Sequence, residues 1–414
     1  MSIMGLLDAY LAVVKDILLN TFGRLPVTLW YVLPPILVYS FWKNWLLYVQ
    51  TFYIKNLEWN LLEIKIPREV TKPPQAMEIV MQVFQQGNDG TFIERWWKGM
   101  VRFWFSLEIA SFGGEIHFYV RTPKKFRNAV EAQLYSQYPT AEVTEVVDYA
   151  LALPYGAPGS DWELWAANMK LVKDDFYPIK TYIDYGLDKE MEEENKVDPL
   201  TPVLELLGSI GPGEQIWLQI PVMDAKKRFQ KKGSWYKKAD WKDVAEVELE
   251  KLQKRDIKTK EGEFNLGKFS QTPHEKIVSE AIARNMIKPG FDCGYRVMYF
   301  AKKDIFNPGI IMGLIGSIKQ YNSPHLNGFK LGKRVGFDYP WQDITGRRTK
   351  RIRWKFFDAY RKRSYFFEPH KEKPMVLTSE ELATIYRFPG QVAATPTLGR
   401  IESKRAEPPP NLPL

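Results

Sequence analysis

The stretch that most constrains the fold is "LPVTLWYVLPPILVYSFW", residues 25–42, where eighteen consecutive positions carry no charge. A helix needs roughly 17–25 predominantly apolar residues to cross a bilayer core, so the run is just long enough. Beyond Lys43 and Asn44, "WLLYVQTFYI" would extend it. Trp30, Tyr31, Trp42, Trp45 and Tyr48 supply amphipathic rings of the kind that settle at headgroup level. Pro34 and Pro35 interrupt the run, and two missing amide donors predict a sharp kink. Upstream, Ile3, Leu7, Tyr10, Leu11, Val14, Ile17 and Leu18 recur at helical spacing and predict an amphipathic helix over 3–19. Residues 1–56 thus read as an amphipathic helix plus a membrane anchor, spanning the bilayer or lying in its plane. The alternative is a buried hairpin of two hydrophobic helices. Lys43, Lys55, Lys65 and Arg68 follow the run whereas Lys15 and Arg24 precede it, which puts the bulk of an anchored chain in the cytoplasm.

Behind this anchor the pattern switches to α+β. "WNLLEIKIPR" reads as a strand, and "PPQAMEIVMQVFQQG" as a helix opened by proline and closed by Gly87. Phe103, Phe105, Leu107 and Ile109 alternate along the next strand, Gly113-Gly114 turns it, and "EIHFYVRTP" returns. A helix after Pro123 and a strand over 141–151 complete β-α-β-β-α-β, the split βαβ order of ferredoxin-like folds, over 57–152. A linker rich in Pro and Gly follows. Element order then predicts a diverged second ferredoxin-like unit over 161–322, with a charged insertion at 224–268. Its last helix carries Gly309 and Gly313 in a GxxxG pattern, but about ten apolar residues are too few to span a membrane. Residues 323–377 read as a basic, β-rich region, and 378–414 as a short helix with a proline-rich tail.

No catalytic motif stands out. "GEFNLGKF" has Walker A spacing at Gly262, Gly267 and Lys268, but Phe269 occupies the position where Ser or Thr would bind Mg²⁺. There is no G-x-S-x-G and no H-E-x-x-H. The four histidines are far apart, and the single Cys293 has no partner for a disulfide or a zinc-ligand pair. The expectation is a non-enzymatic protein with no cofactor and no metal.

The formal net charge of +9 is concentrated. Residues 347–363, "RRTKRIRWKFFDAYRKR", hold nine Lys/Arg against one Asp, and 226–238, "KKRFQKKGSWYKK", hold seven Lys/Arg and no acid. Lys226, Lys227, Arg228, Lys231, Lys232, Arg347, Arg348, Lys350, Arg351, Arg353 and Lys355, interleaved with aromatics, suit phosphate contact plus base stacking. They equally suit anionic lipid headgroups, or an edge strand "KRIRWKFFDAY" with a solvated charged face.

In "SEELATIYRFPG", Thr378 or Ser379 caps a short helix, with Glu380 and Glu381 in its first turn. Leu382, Ile385 and Tyr386 form a stripe that needs a surface to dock on, and Phe388-Pro389-Gly390 ends the helix. This run, with "TPTLGRIESKRAEPPPNLP", resembles the segment just ahead of the motor domain in conjugation-type ATPases of the HerA–FtsK superfamily. "WNLLEIKIPRE" and "PPQAME" add to a resemblance with a membrane-anchored domain family of candidate-phyla bacteria. The resemblance implies an accessory or scaffold subunit of a type IV secretion or conjugation-like machine. It would dock a HerA–FtsK-type ATPase through Glu381, Leu382, Ile385, Tyr386, Phe388, Pro389 and the tail. In such ATPases a phosphate-binding loop would follow, whereas this chain stops at Leu414. Rival readings are a membrane-tethered nucleic-acid-binding protein and a membrane enzyme with an unrecognised site.

Overall fold

The computed structural model describes residues 3–67, 72–156, 160–189, 197–227, 229–230, 238–253 and 272–389. Arg228, Lys231, Lys232, the Walker-like stretch and everything after Pro389 lie outside the described residues. In chain order the elements begin with α1 (Ile3–Lys55), β1 (Trp59–Lys65), α2 (Pro74–Met81) and α3 (Phe92–Trp96). The hairpin β2 (Phe105–Phe112) and β3 (Glu115–Pro123) leads to α4 (Arg127–Gln137), β4 (Glu142–Val146) and α5 (Tyr149–Ala152). Then come β5 (Trp162–Leu171), α6 (Thr201–Ser209), β6 (Glu214–Asp224) and a two-residue ladder, β7 (Phe229–Gln230) with β8 (Lys238–Ala239). The rest is α7 (Trp241–Leu252), α8 (Pro273–Ile287), β9 (Gly290–Cys293), β10 (Tyr295–Lys302), α9 (Pro308–Ile318) and β11 (Phe329–Arg334). Finally α10 (Arg347–Arg361), β12 (Met375–Thr378) and α11 (Ser379–Ile385) follow.

Two compact units divide the chain. One contains Met1–Leu57 with Asp89–Val101, and the other contains the remainder. In the first, α1 runs unbroken through Pro34 and Pro35, so a single helix replaces the expected pair. Trp42 stacks on Trp96 at 5.2 Å, and Trp45 meets Trp97 edge-on at 5.9 Å while its Nε1 donates to the Trp96 carbonyl at 3.2 Å. Gly99, at φ +70°, lets this segment close on α1, because a Cβ there would fall 2.3 Å from the Val49 carbonyl. Tyr31 is 75% exposed, and the Trp30 side chain lies outside the described ones. Among the described residues no helix is long and apolar enough to cross a membrane. That finding corrects the expected transmembrane anchor and the cell-membrane location. The physical reason is dilution: Tyr31, Pro34, Pro35, Tyr39 and Ser40 interrupt the aliphatic residues, and Lys43, Asn44 and Gln50 follow within the same helix.

In the second unit ten strands form one sheet with the path β11-β5-β10-β6-β2-β3-β1-β4, all neighbours antiparallel. The expected fold, N-terminal hydrophobic helices followed by two ferredoxin-like units, is therefore corrected, although each half of the path, β4-β1-β3-β2 and β11-β5-β10-β6, keeps the strand order of a split βαβ unit. The strands of both expected units join in one continuous sheet, and among the described residues no membrane-spanning helix precedes it. The strand path is a palindrome about its middle, where β2 and β6 pair over eight residues from Phe105↔Val222 to Phe112↔Gln215. β9 also pairs with the far end of β6 and carries β12 at its other edge.

Strand alternation separates two faces. Leu62, Phe105, Leu107, Phe118, Val120, Leu218, Ile220 and Val297 point to one side, where α2, α4, α6, α9 and α11 cover them. Ala110, Tyr119, Trp217, Met298 and Phe300 point to the other, under Phe356, Phe357 and Tyr360 of α10. The region 347–361, read from sequence as a charged edge strand in a β-rich region, is a helix. Its buried residues recur with a period of 3.6, not 2, and the flanking strands are only β11 and β12.

The C-terminal helix is part of this core. Glu381, Leu382, Ile385, Tyr386, Phe388 and Pro389 are all buried, with Tyr386 and Phe388 edge-on to Phe118. The stripe does dock, on α2 and the chain's own sheet, so these six residues present no free surface to a partner. The Glu381 carboxylate accepts the amides of Thr378 at 2.8 Å and Ile179 at 2.9 Å, closing a capping box and tying in a distant loop. Truncating the fully buried Leu382 to alanine should cost about 2–5 kcal/mol, as for other buried leucines. Urea unfolding reads this directly. A loss under about 0.5 kcal/mol, the scale of a surface change, would mean that α11 is not core.

Candidate nucleic-acid interface

α10 owes its position to a charged contact at its C-terminal end. Arg363 follows the helix at φ +48°, the only non-glycine residue with positive φ among the described residues. Its amide donates to the Tyr360 carbonyl at 2.9 Å and the next amide, Ser364, to Ala359 at 2.9 Å, the paired bonds of a Schellman ending. Glycine is usual at this position, and an arginine there carries a backbone cost on the order of 1 kcal/mol. The side chain offsets it. Arg363 Nε and Nη2 donate to Glu108 Oε1 and Oε2 at 2.9 and 3.0 Å, and both terminal nitrogens also reach Asp148. With a further bond from Nη1 to the Arg361 carbonyl at 3.0 Å, all its donors are used.

Glu108 lies on β2 at the sheet seam and is fully buried. Ser106 Oγ donates to it at 2.6 Å, Tyr149 OH at 2.7 Å and Gln219 Nε2, from β6 across the seam, at 3.0 Å. Burial works to raise the Glu108 carboxyl, but the Arg363 charge and these hydrogen bonds outweigh it and bring the group down to about 2. Strand register sets the same polar file across seven strands: Thr144, Glu63, Tyr119, Glu108, Gln219, Arg296 and Asn168. Around Glu108 and Arg363 the hydrogen-bonding groups are mutually engaged, and the chemistry of the pair is that of a clamp.

The clamp holds the other face of α10 outward. Arg347, Lys350, Arg351, Trp354 and Lys355 are exposed and recur at i, i+3, i+4, i+7 and i+8. Among the described residues no carboxylate lies within ion-pair distance of Arg347, Lys350, Arg351 or Lys355. Arg353 turns inward and pairs with Glu163, so it drops out of the set. Arg348 donates to the Gln342 carbonyl at 2.9 Å and lies 5.6 Å from the Phe337 ring. Four of the first five residues of α10 are cationic, although the helix dipole disfavours a cation there by about 0.3–1 kcal/mol each. Asp343, accepting the Arg348 and Thr349 amides at 3.1 and 2.7 Å, offsets this end.

Two further aromatics, not singled out in the sequence, sit just before α10. Tyr339 and Trp341 stack at 4.6 Å with 12° between their planes and are 52% and 68% exposed. The other basic segment does not join this surface at the described residues. Lys226 Nζ sits 5.3 Å from the Phe367 ring, beyond the opposite end of α10, and Lys227 is simply exposed. Sequence reading also missed Glu108 and Arg363. The one local hint is a helix that ends "YRKRS" with no glycine to take the left-handed position.

Replacing Arg363 by methionine leaves Glu108 as an uncompensated buried carboxylate and should cost about 3–5 kcal/mol in urea unfolding at neutral pH. Because the Glu108 value is depressed on folding from the ordinary 4.5, its contribution is complete above about pH 4.5 and lost as pH falls toward 2. Arg363→Met should therefore flatten that acid limb. A variant with native stability and an unchanged acid limb would refute the clamp.

No curated protein matches the sequence. Residues 50–399, which include both the sheet and the α10 surface, match a family described as a domain of unknown function, DUF8128, and the chain belongs to that family.

Proposed function

We propose that this chain is a non-enzymatic accessory subunit of a conjugation-type machine and that it contacts nucleic acid through the outward face of α10. The observation that carries the reading is the stripe of unpaired cations on a helix clamped by a buried ion pair. Cations without acidic partners neutralise phosphates at no cost in broken ion pairs, and a rigid helix loses little entropy when it binds. A first turn loaded with arginine and lysine weakens the free helix, and such local conflicts concentrate at functional sites.

The resemblance to the segment ahead of HerA–FtsK-type motors supplies the partner in this reading. With residues up to Pro389 packed in the core, the contact with that ATPase falls to residues 390–414. Co-purification separates the two chains cleanly: the full chain should retain the ATPase and a chain ending at Pro389 should lose it. Equal retention by both would remove the tail from the account.

For the nucleic-acid contact, the salt dependence of binding to a labelled oligonucleotide is the direct test. If Arg347, Lys350, Arg351 and Lys355 each meet one phosphate of a single strand, replacing all four by alanine should lower the slope of log K against log salt by about 3. Affinity should fall with it. An unchanged slope would place any nucleic-acid contact elsewhere.

A further inference from the structure

We infer that the Tyr339–Trp341 pair is a stacking platform for an unpaired base, so that the α10 surface takes single-stranded nucleic acid in preference to duplex. This rests on the nucleic-acid reading of α10 and adds the class of ligand. Three observations converge on it. Tyr339, Trp341 and Ile344 form a run of large apolar side chains left facing solvent, with Ile344 85% exposed. Exposed apolar side chains that form a contiguous patch mark interaction surfaces. The two rings already lie nearly parallel at 4.6 Å, so a third flat ring can continue the stack on the outer face of Trp341. The segment is also held in place: Asp343 bonds the α10 amides, Arg348 grips the Gln342 carbonyl, and Gly346 at φ +67° makes the turn into the helix.

A duplex keeps its base faces inside its own stack and offers only edges and phosphates to a protein surface. Exposed ring faces gain nothing from it. An unpaired strand offers both phosphates and free base faces, which matches cations interleaved with rings. From Trp341 the chain runs through the exposed cations Arg347, Lys350 and Arg351 to Trp354. That last ring is 46% exposed and backed by Gly156, where a Cβ would come within 2.6 Å of it.

Fluorescence anisotropy on the full chain, with labelled oligo(dT) and with a labelled duplex of equal length as probes, tests this. Trp341→Ala should weaken oligo(dT) binding between about 5-fold and 100-fold, the loss expected for one stacked base. It should leave the salt slope and the duplex affinity unchanged, and Trp341→Phe should restore most of the loss. If Trp341→Ala weakens both probes equally, or neither, the platform is wrong while the cationic face stands. If neither probe binds the unaltered chain at low salt, the nucleic-acid reading and the platform fall together.

Discussion

The bidentate contact between Arg363 and Glu108 holds this structure's layers in register. Glu108 stands on β2, where the two halves of the palindromic sheet meet, and Gln219 joins it from β6 across that seam. Arg363 stands at the end of α10, the helix that covers this face. One ion pair thus links the seam to the helix lying over it, and Asp148 and Tyr149 bring in the chain that leaves β4. A buried pair of this kind adds little net stability over an apolar substitute, but leaving either partner alone is costly. Its contribution is specificity: it allows one position for α10 against the sheet.

That position determines which side chains face outward. Phe356, Phe357 and Tyr360 go under the helix with Trp217 and Phe300, and the remaining arc of α10 is almost entirely cationic. The opposite sheet face follows the same logic without charge. There α11, expected to reach for a partner, instead completes the core next to α2, and burial holds the Glu381 carboxyl up at about 7 even though two backbone amides donate to it. Those two bonds fasten α11 internally.

Local features were legible in the sequence and long-range ones were not. The β2–β3 hairpin shows in the alternation of Phe105, Leu107 and Ile109 and in Gly113-Gly114, which do take positive φ. The stripe Leu382, Ile385, Tyr386 is visible too, but a stripe does not say whether its cover is another chain or its own sheet. The β2–β6 seam joins residues more than a hundred positions apart, and no local pattern announces it. In α10, charge concealed the helical period, because attention falls on the cations and not on the spacing of Ile352, Phe356, Phe357 and Tyr360 between them. Arg363 is invisible for a related reason: the left-handed ending is normally signalled by glycine, and here a buried side chain substitutes for that signal. The uncharged N-terminal run shows the opposite error, since absence of charge was read as apolarity while prolines and tyrosines diluted it.

If α10, fixed from below, is the surface that meets a nucleic-acid strand, the strand must cover it on binding. Amide hydrogen exchange on the full chain, with and without excess oligo(dT), tests it most directly. Added protection is expected over residues 337–355 and none over α11, whose residues are already buried in the core. Protection that appears elsewhere and leaves 337–355 unchanged would contradict it.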